Sequence, residues 1–191
     1  MQCVLKYDMK KFLFLIIFVL LSLPGRAQSV AIGTNVVDYL NLGTINLEGS
    51  VAVSRNWTLE AEWDYNPWTY NEGKADQFQN RSVSGSLGTR WWPWHVYAGW
   101  WLKGGLQYQV YNHGGLLSET SEEGESYGGG LAMGYALLLG EKINLDFGFG
   151  IWGGKRKYVT YRCTNCGRME DQGEKWFLLP DDITISLYYI F

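Results

Sequence analysis

Residues 183–191 read Ile-Thr-Ile-Ser-Leu-Tyr-Tyr-Ile-Phe, and apolar side chains occupy every second position of this stretch. Successive side chains of a β-strand point to opposite faces of the sheet, so the pattern predicts a strand with one apolar face. The other face carries Thr184, Ser186 and Tyr188. The stretch therefore indicates a β-sheet whose two sides meet different environments.

The end of this stretch resembles the C-terminal signature of bacterial outer-membrane β-barrels, whose last strand ends in an aromatic residue. The resemblance implies that the apolar face contacts outer-membrane lipid and that the polar face lines the interior. It also implies recognition by the barrel-assembly machinery. The residues expected to form this C-terminal assembly signal are Ile183, Ile185, Leu187, Tyr189 and Phe191.

The N-terminal segment is expected to be a cleaved signal peptide over residues 1–27. A basic pair precedes an apolar run over residues 12–23, and small residues precede a cleavage position after Ala27. The run is shorter than the roughly 20 residues that a transmembrane helix needs. Met9 offers an alternative start. We therefore expect an exported domain over residues 28–191.

The composition of this domain favours a barrel and argues against a nucleic-acid partner. Loss of the signal peptide takes four basic residues from 16 and one acidic residue from 19, which leaves a net charge of −6. Nucleic-acid binding needs clustered positive charge. Aromatic residues make up 16% of the sequence and glycine contributes 24 residues, while the mean hydropathy is only −0.16. This balance fits strands that alternate lipid-facing and lumen-facing residues.

Eight segments with a period of two predict a single eight-stranded antiparallel transmembrane β-barrel with up-and-down connections. The segments are close to the roughly 9–11 residues of a tilted membrane strand. Short connections alternate with long ones over residues 66–81, 109–126 and 152–182. Outer-membrane barrels place short turns in the periplasm and long loops outside, which puts both termini in the periplasm. The predicted strands span residues 31–40, 44–53, 57–65, 82–91, 95–108, 130–137, 143–151 and 183–191.

The polar faces of these strands predict a lumen filled by charged side chains. An eight-stranded barrel is only wide enough for side chains to fill, and buried charges are costly unless they are paired. We therefore expect Arg90 and Lys103 to lie across from the acidic row of the third strand and to block a water channel. An ion path or a ligand pocket is the alternative. The predicted network comprises Glu48, Glu60, Glu62, Asp64, Arg90, Lys103 and Asp146.

Aromatic residues near the strand ends predict girdles at the membrane–water interfaces, where Trp and Tyr place an apolar body and a polar tip. An aromatic platform for sugars is the alternative for Trp68 and Tyr70, in the loop between the third and fourth strands. The predicted girdle residues are Trp57, Tyr65, Trp68, Trp91, Trp92, Trp94, Tyr108 and Trp152.

The predicted outer loops contain the remaining candidate residues. Cys163 and Cys166 are expected to form a structural disulfide, because thiols of exported proteins usually pair; zinc and redox roles lack further ligands and a helical context. The basic group Lys155-Arg156-Lys157 is expected to pair with acidic loop residues. Contact with lipopolysaccharide phosphate is its alternative, since the arginine fork matches phosphate. No cofactor or metal is expected.

A lipid-directed hydrolase is the alternative function that would use catalytic side chains. Its candidates are His95 and His113, with Ser118 and Ser121 near the second histidine. Nothing in the sequence orients these groups as a nucleophile and base. We therefore favour a non-enzymatic envelope barrel of structural or interaction type over an esterase- or deacylase-like or ligand-binding barrel. A soluble lipocalin-like barrel, with the two faces exchanged, is a third interpretation.

Several segments together resemble the DUF3575 family of Bacteroidetes-type outer-membrane β-barrel proteins. The resemblance implies a barrel in the outer membrane of a Gram-negative bacterium, with long loops outside the cell. It also implies a role as an accessory to surface-fibre or envelope biogenesis, with a surface or fimbrial protein as partner. The family has no established activity, so it supplies no catalytic residues. The matching segments are Gly33-Thr34-Asn35, Asn46-Leu47-Glu48-Gly49, Trp57-Thr58-Leu59, Tyr65-Asn66-Pro67-Trp68 and Cys163-Thr164-Asn165-Cys166-Gly167.

Overall fold

The computed structural model describes residues 29–72, 77–115, 120–162 and 168–191. The predicted signal peptide lies outside these residues. Nine strands and one short helix account for most of the described chain. They are β1 (Val30–Asn35), α1 (Val36–Leu40), β2 (Ile45–Ser54), β3 (Trp57–Asn66), β4 (Thr69–Tyr70), β5 (Phe78–Trp91), β6 (Gly99–Gly114), β7 (Ser121–Leu138), β8 (Ile143–Tyr161) and β9 (Met169–Ile190).

The strands form one antiparallel sheet that returns on itself as a ring. The order is β3-β2-β1-β9-β8-β7-β6-β5-β4, and an additional β3–β5 pairing joins the two sides. The two-residue strand β4 pairs with β5 only, among the described strands. The prediction of an all-β antiparallel fold is therefore confirmed.

The first strand is shorter than predicted. β1 ends at Asn35, and α1 occupies most of the rest of the predicted strand. The Asn35 side chain accepts a hydrogen bond from the Val37 N–H at 3.1 Å, the N-terminal capping contact for which asparagine is well suited. This local hydrogen bond competes with continuation of the strand.

The largest error of the sequence prediction concerns the long outer loops. Much of residues 109–126 and 152–182 is strand, so β6 to β9 contain 16, 18, 19 and 22 residues. We call the end of the ring with the β2–β3, β5–β6 and β7–β8 turns the lower rim. A tilted membrane strand needs about eleven residues. The parts of β6–β9 that lie further than this from the lower rim form a taller wall, here called the extension. It comprises residues 110–114, 121–127, 154–161 and 169–179.

The two faces of the ring differ in polarity. Outward side chains such as Leu131, Phe149 and Leu87 are 69%, 53% and 69% exposed, whereas inward Ser186 and Asn144 are fully buried. The lumen also contains buried aromatic rings. Among the described residues, no helix has the length and apolar character to cross a membrane.

Candidate functional site

Arg90 lies at the centre of the lumen and is 3% exposed. Its Nε lies 2.8 Å from Glu60 Oε1, and its Nη1 donates to Asp146 Oδ2. Its guanidinium carbon lies 4.0 Å from the ring centroid of Trp101, within the range of a cation–π contact. The guanidinium is thus enclosed by side chains from β3, β6 and β8.

Strand register brings these charges together. Arg90 on β5 lies opposite Thr58 on β3 and opposite Lys103 on β6. Lys103 reaches the acidic row of β3 through Glu62, with Nζ 3.2 Å from Oε2. The structure therefore places Arg90 and Lys103 against the acidic row of the third strand, and it also pairs Arg90 with Asp146 on β8, another member of the predicted network.

Hydroxyl groups accommodate much of the remaining acidic charge of the lumen. Each one donates a hydrogen bond to a carboxyl oxygen from another strand and so provides a partner for a buried acceptor. The serine row of β5 lies directly opposite the acidic row of β3, so the sequence contained this signal, although the predicted network omitted the serines. The hydrogen bonds run from Ser84 to Asp64 (2.8 Å), from Ser86 to Glu62 (3.2 Å) and from Ser186 to Glu48 (2.8 Å).

Trp101 fills the lumen because two neighbouring strands lack side chains beside it. A Cβ at Gly134 would lie 2.3 Å from Trp101 Cζ2, and one at Gly148 would lie 2.5 Å from its Cη2. These separations are far below van der Waals contact. The indole is 1% exposed, so glycines on β7 and β8 allow one large ring to close the interior around Arg90.

Two predicted girdle residues are buried instead. Trp92 is 0% exposed and donates from Nε1 to Thr58 Oγ1 at 3.2 Å. Trp152 packs edge-on against Phe177, with ring centroids 4.5 Å apart. An aromatic residue near a strand end does not reveal its face, which depends on register. The other predicted girdle residues are exposed: Trp57, Tyr65, Trp68, Trp91, Trp94 and Tyr108.

A chamber of about 290 Å³ lies at the upper end of the lumen, between α1, β3, β5 and β9. Carboxylate oxygens of Asp38, Glu62 and Asp64 converge there, within 4.8 Å of one another. Oxygen ligands of this type suit hard cations. Lys103 already contributes a positive charge to the group through Glu62.

The basic group at residues 155–157 lies in β8 rather than in a loop, and it divides between the two faces of the extension. Lys155 pairs with Glu174 at 2.8 Å and Lys157 with Glu125 at 2.9 Å. Arg156 points the other way, and its Nε donates to Ser126 Oγ at 3.1 Å. Because successive strand residues alternate, the three cations do not form one patch.

The outward face of the extension is concave. A cavity of about 1070 Å³ lies against it. Part of its lining is a row of partners that crosses from β5 to β9, apolar at one end and charged at the other. This row is Val83, Val110, Glu125, Lys157 and Glu174.

Trp68 and Tyr70 take part in internal contacts at the upper rim. Trp68 Nε1 donates to the Gly43 carbonyl at 2.9 Å. Tyr70 belongs to β4, and its ring stacks on Phe78 with centroids 4.5 Å apart. Both residues remain partly exposed, at 44% and 37%. They connect the β3–β5 segment to the β1–β2 segment.

The candidate hydrolase residues are not assembled in the described part of the chain. His95 Nδ1 accepts from Arg55 Nε at 3.3 Å. His113 lies beside the Tyr111 ring, and burial followed by the Arg156 charge lowers its pKa. Ser121 Oγ donates to Asn112 instead. Ser118, Cys163 and Cys166 lie outside the described residues.

The fold and site define the class of the protein: an all-β, ring-like antiparallel sheet with a polar, charged interior and an apolar outer face. The chain belongs to the family described as a protein of unknown function (DUF3575), which matches residues 12–191. The family resemblance of the sequence is thereby confirmed. A search of curated proteins finds no match.

Proposed function

We propose that this protein is an eight-stranded outer-membrane β-barrel with a closed lumen, which displays the extension outside the cell as an interaction surface. Eight strands complete the ring when the two-residue β4, which pairs with β5 alone among the described strands, is left out. The observation that carries the proposal is the reversed distribution of polarity. A soluble lipocalin-like barrel would need the opposite distribution.

The apolar outer face supports contact with lipid around the ring. On β3, Leu59 and Trp63 are 51% and 46% exposed, and on β2 Leu47 is 55% exposed. Contiguous exposed apolar surface of this extent marks an interaction surface or a membrane. Because short turns of such barrels lie in the periplasm, the lower rim belongs there and the extension lies outside.

The packed lumen supports an anchoring function over a conducting one. Arg90, Glu60 and Asp146 form ion pairs from three strands in the centre of the ring, and Trp101 fills the space beside them. A water path would have to separate these charges. The protein therefore acts through its outer surface, as expected for an accessory of envelope or surface-fibre biogenesis.

Membrane insertion is tested by fractionation and by gel mobility before and after heating. We expect the full chain in the outer-membrane fraction and a faster band without heating. Leu131→Arg, on the outward face, should reduce insertion, because arginine at the bilayer midplane costs about 2–4 kcal/mol. Gln172→Arg adds the same charge on the extension and is the matched control. A soluble periplasmic protein would contradict the proposal.

Closure of the lumen is tested separately in planar lipid bilayers with the purified, refolded protein. We expect no discrete conductance steps under conditions in which a known porin, added as a positive control, gives them. Stable single-channel steps would show an open path and overturn the closed lumen, without affecting the membrane location.

A further inference from the structure

The extension has two edges, and the described chain covers only one of them. At the first edge, β6 is covered by β5, which pairs with it as far as Gln79 opposite Gly114. At the second edge, β1 pairs with β9 only over residues 186–190. Above that point the Asn35 side chain contacts the backbone of Ile183 and Ile185. Residues 169–179 pair with β8 and with no other described strand.

The direction of the backbone groups of β9 follows from hydrogen bonds near the lower rim. The Ile185 N–H donates to Asn35 Oδ1 at 3.1 Å, away from β8. On β8, the Ile143 carbonyl accepts from Leu139, towards β7. The N–H and C=O groups of successive residues point to opposite sides of a strand. The backbone groups of the odd-numbered residues of β8, including Ile151, therefore point towards β7.

This alternation identifies the backbone groups on the open side. Pro180 lies opposite Ile151 after a register shift. Because the backbone groups of Ile151 point towards β7, those of Pro180 point away from β8. The same holds for the even-numbered residues of β9 before it. The Gln172 N–H fits this assignment, because it donates to Asp171 Oδ1 at 2.9 Å instead of to β8. The backbone groups on the open side are those of Gln172, Glu174, Trp176 and Leu178.

Two further features fit an edge that receives another strand. Proline lacks an N–H and is confined in sheets to edge strands, first residues of strands and bulges, and Pro180 lies at the base of this edge, beside the register shift. Trp176 and Leu178 are 76% and 72% exposed, beside backbone groups that have no described partner strand. Exposed backbone donors and acceptors next to apolar side chains are the elements of recognition by strand addition.

We propose that residues 172–178 of β9 form a docking edge, which binds an extended segment of another secreted or surface protein as an additional strand. This deepens the proposed function, on which its location outside the cell rests. The side chains of the edge define the partner's chemistry. Apolar residues of the partner meet Trp176 and Leu178. A basic residue meets Glu174, which also pairs with Lys155, and an acidic residue meets Lys175, which also pairs with Glu122.

A second copy of the chain is the competing occupant of this edge. Two copies in one membrane have the same orientation, so a symmetric pair would align their β9 strands in parallel and protect the edge amides without any added peptide. The experiments below therefore distinguish self-association from binding of a different polypeptide.

The first experiment measures amide exchange by NMR with a synthetic ten-residue peptide. The peptide has valine or tyrosine opposite Leu178, Phe177 and Trp176, glutamate opposite Lys175, and lysine opposite Glu174. In the free protein we expect rapid exchange at Glu174, Trp176 and Leu178 and protection at Lys175 and Phe177. Saturating peptide should slow the three rapid amides at least ~tenfold, since it supplies their hydrogen-bond acceptors.

Controls separate backbone pairing from nonspecific adhesion. A peptide of the same sequence with two N-methylated edge-facing amides should bind about tenfold more weakly, because it has lost two donors. Edge amides that are already protected in the free protein, no slowing at saturating peptide, or equal binding of the methylated peptide would each overturn the docking edge.

A pair of protein variants tests the same edge from the other side. Glu174→Pro removes an N–H that does not bond to β8 and should abolish peptide binding. Glu174→Gln retains the N–H and should bind the peptide. Gel mobility is recorded for each preparation. A protein that shows the expected exchange pattern but does not insert in the membrane refutes the proposed function. A protein that inserts normally but does not bind the peptide refutes only the docking edge.

Discussion

Ion pairs of similar geometry occur in the lumen and on the extension, but their surroundings differ. Arg90 and Glu60 approach to 2.8 Å with side chains 4% and 7% exposed, whereas Lys157 and Glu125 approach to 2.9 Å with side chains 53% and 37% exposed. When a buried pair loses one member, the remaining charge stays buried without a partner. When an exposed pair loses one member, water solvates the remaining charge. Distance alone therefore does not rank these contacts.

The difference assigns separate roles to the two regions. The charges of the lumen are buried, so loss of one partner is costly there and stability constrains the sequence tightly. The extension consists of strands stabilised by their backbone ladders, and its outward charges can change at small cost. A surface of that kind can vary to suit a partner while the ring beneath it stays intact.

The largest expected effect is in the lumen. Arg90→Met removes the cation between Glu60 and Asp146 and should lower the free energy of unfolding by about 3–5 kcal/mol. The measurement is urea unfolding of the refolded protein in lipid vesicles. The triple variant with Glu60→Gln and Asp146→Asn should recover part of the loss. A decrease in the free energy of unfolding of less than ~1 kcal/mol would show that Arg90 is solvated, and the lumen would then not differ from the extension.

The contact of Trp101 with glycine gives the next effect. Gly148→Ala places a Cβ 2.5 Å from Trp101 Cη2, and overpacking of this kind costs about 1–3 kcal/mol. The matched control is Gly140→Ala in the β7–β8 turn, where a Cβ would have no atom within 4 Å. Equal unfolding midpoints for the two variants would show that Trp101 moves freely and does not close the lumen.

The junction between the two regions should respond less. Asn35→Ala removes the cap of α1 and the contacts with Ile183 and Ile185, for an expected loss of about 0.5–2 kcal/mol. Faster amide exchange at Ile185 should accompany the loss. Asn41→Ala, at the other end of the helix, is the comparison variant. Unchanged exchange at Ile185 would mean that Asn35 does not secure β9.

The same contrast explains which parts of the fold the sequence predicted. In the ring, one face of every strand is apolar, so a period of two is visible, as at residues 143–151. On the extension the two faces no longer differ: both are polar or small at residues 121–126 (Ser-Glu-Glu-Gly-Glu-Ser), both are apolar at residues 176–179, and the period disappears. These strands form because the neighbouring strands continue beside them, and the sequence pattern of a single segment does not contain that information.

The sequence predicted which charged residues face the lumen, but it did not predict which of them pair. The types and faces of Arg90, Lys103 and the acidic row followed from alternation, because buried cations require acidic partners. Which acid pairs with which base depends on stagger between strands, and Asp146 comes from a strand that is distant in the ring. The position of Trp92 depends on the same stagger, which is why its burial was not predicted.

The smallest effect is expected for the exposed pair. Lys157→Met should leave the unfolding midpoint unchanged within error, while it alters the titration of Glu125. The hydrogen bond from Lys157 lowers the pKa of the Glu125 carboxyl below its ordinary value of 4.5, so NMR titration should show this pKa rising towards 4.5 in the variant. Because the folded pKa is the lower one, any stabilisation by the pair exists above pH 4.5 and is lost as the pH falls through that lower value. Lys155→Met, beside Glu174, is the comparison variant and should leave the Glu125 titration unchanged. A loss of stability as large as that of Arg90→Met would show that solvent does not replace the pair, and the distinction between the lumen and the extension would fail.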